Sequence, residues 1–227
     1  MCLHDASFSD ADCEYSCSHW PRDSADPSTE GSPIAASPLV APLVKGGTRV
    51  ASVGYDYAGE GREVIDVANE AAAAVRLLLS SHPNAGRVVL GGHSAGAQLA
   101  YKAAVFVNSP RITGLALLAG VFELAELVDT VIGRPIGLSS TDAMASSCTG
   151  DELRGEDIEV LLVVGELDTP RLRTQTAQLY ERLRMRGVKA RRKEVPGEDH
   201  YSLIENLYYT RSEQTSSLVQ FCSNDAL

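Results

Sequence analysis

The chain reads as an α/β domain, a mostly parallel sheet with helices on both faces, and three observations carry that reading. Apolar runs at residues 88–90, 112–118 and 160–165 have the length and composition of strands buried on both sides. Between and around them lie stretches in which apolar residues recur at helical spacing. Strands that alternate with helices imply parallel pairing through crossover connections. The 227 residues are enough for one such domain with a sizeable core, which sets the scale of the fold.

Residues 1–33 differ from all that follows. Seven acids face the single Arg22, seven serines are interspersed, and no period of 2 or 3.6 is sustained. So little apolar surface cannot offset the entropy of ordering, and the stretch is expected to be a disordered acidic tail preceding a domain at 34–227. From Ser37 to Val44 a short helix is expected, with Pro38 in its first turn, Gly46 and Gly47 ending it, and Pro42 as a dissonant note. Residues 49–55 then read as a strand. A longer helix follows at 64–81, with Val64, Val67, Ala71, Val75 and Leu78 on one face and Pro83 as its stop. The strand at 88–90 comes next, and after it Leu99, Ala103 and Phe106 mark a helix.

Beyond the strand at 112–118 the pattern weakens into short helical pieces, one of them at 123–132, and residues 121–157 are where a substrate-covering cap would sit. The strand at 160–165 is followed by a helix from Pro170 to Met185, with Leu172, Leu179 and Leu183 inward and Gly187 as its stop. A last strand at 190–195 and a last helix at 212–221 complete the domain.

Chemistry enters at Gly91-Gly92-His93-Ser94-Ala95-Gly96. Strand, sharp turn and helix are the context in which G-x-S-x-G forms a nucleophile elbow, and any side chain at Gly92 or Gly96 would crowd that turn. Ser94 is thereby raised to the carboxyl edge of the sheet as a nucleophile. The Ala95 N–H sits at the helix N-terminus, aimed at developing negative charge.

Reactive groups in such sheets gather where strands end. Asp168 follows the strand at 160–165 by three residues, and His200 follows the last strand. The order Ser94, Asp168, His200 is that of α/β-hydrolases: nucleophile, the carboxylate that holds the imidazole tautomer, and the base. Glu166 and Asp199 are rivals for the carboxylate. Glu166 lies very near the strand end, and Asp199 is pinned beside His200. Neighbours in an elbow diverge, which makes His93 a structural residue, and His82 suits the C-terminal end of a helix.

The bulk numbers exclude other classes. A net charge of −10 opposes non-specific nucleic-acid binding. No apolar run approaches the ~18 residues of a membrane span, and the first residues have neither the basic nor the apolar region of a signal peptide. Cys2, Cys13, Cys17, Cys148 and Cys222 match no zinc spacing and read as free thiols of a reducing compartment, with no metal or cofactor expected.

Five stretches carry a resemblance: Gly54-Tyr55-Asp56, the elbow from Gly91 to Ala97, Gly120-Val121-Phe122-Glu123-Leu124, Val164 to Pro170, and Asp199-His200-Tyr201 with Glu205-Asn206-Leu207. Over residues 34–222 the chain resembles the kynurenine formamidases (arylformamidases). That resemblance implies an α/β-hydrolase fold and cofactor-free hydrolysis of N-formyl-L-kynurenine to L-kynurenine and formate, in tryptophan breakdown. It also implies a small-molecule substrate as the partner, with a homodimer allowed, in the cytosol or additionally the nucleus. The family carries a His-Gly-Gly motif on a loop after an early strand, before the helix at Ser37, and this chain has no such motif. The implied fold therefore lacks the family's early strands, as a replaced N-terminus would produce. Three functions compete: a formamidase, a general carboxylesterase with the same triad under a different cap, and a weak or inactive relative that binds without turning over.

Overall fold

The computed structural model describes residues 37–153 and 158–223. The expected tail at 1–33 and the end of the expected cap lie outside the described residues. Among the described residues four strands form one sheet, β1 (Val88–His93), β2 (Ile112–Leu118), β3 (Glu159–Gly165) and β4 (Lys189–Val195), in the order β1-β2-β3-β4 with every pair parallel. The helices are α1 (Ser37–Lys45), α2 (Val64–Ser81), α3 (Ala95–Val107), α4 (Ser140–Ser146), α5 (Pro170–Met185), α6 (Ser202–Glu205) and α7 (Glu213–Ser223).

Side chains alternate across a strand, and the core divides accordingly. Leu115, Leu117, Val160 and Leu162 face one layer with Val67, Ala71 and Val75 of α2, Ala97, Ala100 and Ala103 of α3, and Leu179 and Leu183 of α5. Ala116, Leu118, Leu161 and Val163 face the other, with Leu203 and Ile204 of α6 and Leu218 and Phe221 of α7, where Leu39 of α1 also packs. The small residues of α2 and α3 permit close approach of those two helices, which pack side by side. A third cluster, Leu124, Leu127, Leu138 and Ala143, belongs to the cap. Asp142, almost fully buried there, accepts hydrogen bonds from the Val64 and Ile65 amides, so the cap helix α4 closes the N-terminus of α2.

Two expectations are corrected. Residues 49–55 form no strand; they run irregularly, and most are exposed. A strand exists only as a member of a ladder, and residues 49–55 pair with no strand of the sheet, the open outer edge of β1 included. The expected helix at 123–132 is a single 3₁₀ turn, Ala125–Leu127, followed by further turns. Gly133 is one reason: a Cβ there would lie 2.1 Å from the Leu127 carbonyl oxygen, a closeness of chain that a regular helix does not have. The helix forms with Pro42 inside it; the ring forgoes the bond to the Pro38 carbonyl, and the packing of α1 on α7 and of Leu39 on the second core layer offsets that loss.

Candidate active site

Ser94 sits where β1 ends and α3 begins, with φ 54° and ψ −123°, a conformation that non-glycine residues rarely adopt. Such a residue is strained by about 1–3 kcal/mol and persists only if its surroundings over-determine it. Here the Ser94 N–H donates to the Leu118 carbonyl at 2.9 Å, which continues the β1–β2 ladder through the turn. Its own carbonyl accepts from the Ala97 N–H. A Cβ on Gly92 would lie 2.1 Å from the Gly96 carbonyl oxygen, so strand and helix are already in contact and nothing larger fits. Ala95 opens α3, where the first amides of a helix have no partner within it.

Asp168 follows β3 through a turn closed by its own N–H on the Gly165 carbonyl at 3.2 Å. Thr169 then caps α5, accepting from the Leu172 N–H, and Pro170 takes the first helical position, where it costs no hydrogen bond. One Asp168 oxygen accepts from the Thr169 N–H at 2.7 Å and the other from Nδ1 of His200 at 3.1 Å. The Asp168 side chain is fully buried, whereas that of His200 keeps 13% of its surface exposed. With the Nδ1 proton held on the carboxylate, Nε2 of His200 is left with a lone pair.

The loops that bring these two together are zipped. The Glu166 N–H donates to the Val195 carbonyl, the Leu167 N–H to the Glu198 carbonyl, and the Gly197 N–H to the Glu166 carboxylate. Gly165 lies so close to this second loop that a Cβ would stand 2.2 Å from the Glu198 carbonyl oxygen. The rivals for the carboxylate are thereby placed. Glu166 holds the turn at Gly197, and Asp199 caps α6, accepting from the Tyr201 and Ser202 amides. His82 ends α2, with Nδ1 near the Leu78 carbonyl. His93, buried, lies against the His200 ring with centroids 4.4 Å apart.

Ser94 and His200 open into one small cavity of about 30 Å³, lined further by Val121, Leu127, Ile132, Leu172 and Tyr201. Its wall is apolar and draws on the cap, α5 and the His200 loop. Three contributors escaped the sequence reading. Tyr201 stands edge-on to the His200 ring at 5.3 Å, which its place beside His200 could have suggested. Gln175, buried on α5, accepts from the Phe122 and Glu123 amides and donates to the Glu123 carbonyl, fixing the loop that carries Val121. A glutamine among helical polar residues sends no such signal. The third, Ile132, lies in the turns that replaced an expected helix. Among the described residues no group of three potential metal ligands occurs.

Known proteins resemble the chain at two levels. Kynurenine formamidases from Salmo salar and Danio rerio are 27% and 28% identical over 179 and 178 residues, in each case 74% of this chain and 60% of the relative. The chain thus spans about 60% of the length of the curated relatives it matches. Among solved structures, carboxyl esterase 2 from Tuber melanosporum superposes with a TM-score of 0.63 at 20% identity, over 86% of this chain and 72% of that one. A thermostable esterase from Pseudomonas putida does so with a TM-score of 0.63 at 22% identity, over 82% and 66%. A family model described as alpha/beta hydrolase fold matches residues 31–204, and with the elbow, the sheet and the loops in place the chain belongs to the α/β-hydrolase family.

Proposed function

We propose that the chain is a serine hydrolase of the formamidase type, with N-formyl-L-kynurenine as substrate and Ser94, Asp168 and His200 as its triad. The observation that carries the reading is the hydrogen bond from His200 Nδ1 to buried Asp168, beside a cavity that His200 shares with the strained Ser94. In this scheme Nε2 of His200 takes the hydroxyl proton as Ser94 Oγ attacks the formyl carbon. The carbonyl oxygen becomes an oxyanion facing the Ala95 N–H. Collapse of the adduct breaks the C–N bond, and the aryl amine leaves with the proton from His200. Water, deprotonated by the same ring, then releases formate from the formyl-serine.

The names of the relatives support the formamide substrate, and the apolar cavity suits its aryl ring. A general esterase is the second reading, supported by the esterases of like fold. We also propose that turnover is slow. The oxyanion hole of this fold takes one donor after the nucleophile and one from a loop after an early strand. The described residues supply no strand on the outer side of β1 from which that loop would spring. A missing donor typically lowers the chemical step by ~10²–10³-fold.

The test is a fluorophosphonate probe, together with hydrolysis of N-formylkynurenine and of a p-nitrophenyl ester, on the parent and on Ser94→Ala. Labelling that disappears in Ser94→Ala, with formylkynurenine hydrolysed in preference to the ester, supports the formamidase. A preference for the ester supports the second reading, and labelling that survives the substitution refutes both.

A further inference from the structure

His93 adjoins Ser94 in the chain but turns away from it. It is the last residue of β1, paired in register with Leu118, whose side chain faces the layer containing α6. The His200 loop enters that layer immediately before α6, and the two meet. Nε2 of His93 lies 2.9 Å from the main-chain carbonyl oxygen of His200, across 107 positions of sequence. A carbonyl only accepts, so Nε2 carries the proton and donates. The His93 ring is 2% exposed and packs at 42° to the His200 ring.

Three contacts therefore surround His200. Asp168 holds Nδ1, Tyr201 stands at the ring edge, and His93 holds the backbone from which the ring hangs. Only the last runs from β1, the strand that ends in Ser94. Asp168 comes from the far side, after β3. A catalytic base must be registered against its nucleophile as well as against its carboxylate, and the His93 hydrogen bond is a direct tie between the elbow and the His200 loop.

We propose that His93 is a positioning residue: its Nε2–H clamps the His200 carbonyl and so sets where the His200 ring stands relative to Ser94. The proposal rests on the reading of His200 as the base. A buried histidine that only fills space would serve equally well as any side chain of its size, and that difference can be measured.

The experiment compares His93→Gln with His93→Met. Glutamine places an amide N–H as many bonds from Cβ as the histidine Nε2, and methionine has the same length with no donor. Three readouts are taken on the full chain: thermal unfolding, kcat and KM for formylkynurenine or the p-nitrophenyl ester, and the low-field NMR resonance of the His200 Nδ1 proton. Misplacement of a reacting group by about 1 Å can cost ~10²-fold in rate, so His93→Met is expected to lose about 10–10²-fold in kcat with little change in KM. Its Nδ1 resonance broadens or disappears, and His93→Gln recovers both. If His93→Met fails to fold, His93→Phe, which keeps a ring and drops the donor, takes its place. Parental kcat and an unchanged resonance in the donorless variant overturn the proposal, and so does equal impairment of the Gln and donorless variants. Should the parent hydrolyse neither substrate, the formamidase and esterase readings fall, while the resonance alone still decides for or against the clamp.

Discussion

Replacing Gly165 by alanine is expected to disable the proposed triad from a position that touches neither Ser94 nor His200. Gly165 is the last residue of β3, and a Cβ there would lie 2.2 Å from the Glu198 carbonyl oxygen, 2.7 Å from its carbon and 3.1 Å from the Asp199 carbonyl oxygen. These are main-chain atoms, so no side chain can swing aside. The Glu198 carbonyl also accepts the Leu167 N–H at 2.9 Å, and turning it away breaks that bond. The loop carrying His200 must retreat by at least about 1 Å to reach ordinary contact. Asp168 does not follow, because its N–H is anchored to the Gly165 carbonyl. The 3.1 Å bond between Asp168 and His200 Nδ1 is then stretched out of hydrogen-bonding range. Overpacking of this kind costs about 1–3 kcal/mol of stability, and a base displaced by 1 Å costs ~10²-fold in rate. The assay is the second-order rate of fluorophosphonate labelling at Ser94, read beside the melting temperature. Gly86→Ala is the control, since nothing lies within 4 Å of its Cβ and its φ is not positive. Labelling of Gly165→Ala at the parental rate with a parental melt would refute the reasoning about how the two loops are locked.

Asp168→Asn removes the acceptor that holds the His200 Nδ1 proton and is expected to lower kcat by ~10⁴-fold with the fold retained, as kinetics and a thermal melt would show. Burial pushes the Cys148 thiol well above its ordinary value of 9.0, with Lys102 partly offsetting the effect. The contribution of that shift to stability is present below the ordinary value and is lost as pH rises beyond it; denaturant midpoints are therefore expected to fall in alkali, and to fall less steeply in Cys148→Ala.

Much of this architecture was legible because single residues carry unambiguous physics. Pro83 and Gly187 end helices, and the runs at 112–118 and 160–165 have a composition that suits only a covered strand; the structure places all of these elements where they were expected. The juxtaposition of Asp168 with His200 followed from a rule about strand ends, and the 3.1 Å contact comes from two loops zipped by backbone bonds that no side-chain pattern encodes. The segment at 49–55 misled for a related reason. Val50, Val53 and Tyr55 are β-branched or aromatic and record a compatibility with β structure, but a strand needs a neighbour. Gln175 and the contact of His93 with the His200 loop were illegible because each acts through a partner more than 20 positions away, whereas Tyr201 adjoins its partner His200 and was within reach.

The two edges of the sheet differ in a way that bears on how firmly Ser94 is held. β4 is Lys-Ala-Arg-Arg-Lys-Glu-Val, largely exposed, and its charges protect an edge from further pairing. β1 is Val-Val-Leu-Gly-Gly-His, uncharged, with the composition of an interior strand, and it pairs only with β2 among the described residues. The Val88 and Ser94 amides point toward β2, on the Arg111 and Leu118 carbonyls. Alternation along the strand then turns the Leu90 and Gly92 amides to β2 and those of Val89 and Gly91 to the outer edge. Hydrogen exchange separates the two sets. Val89 and Gly91 are expected to exchange at opening free energies near zero, and Leu90 and Gly92 only with opening of the core. The strand that leads into Ser94 would then be clamped from one side, and elbow geometry would rest on β2 and the His93 contact. Equal protection of all four amides would show that the outer edge is covered, and would remove the physical basis for expecting slow turnover.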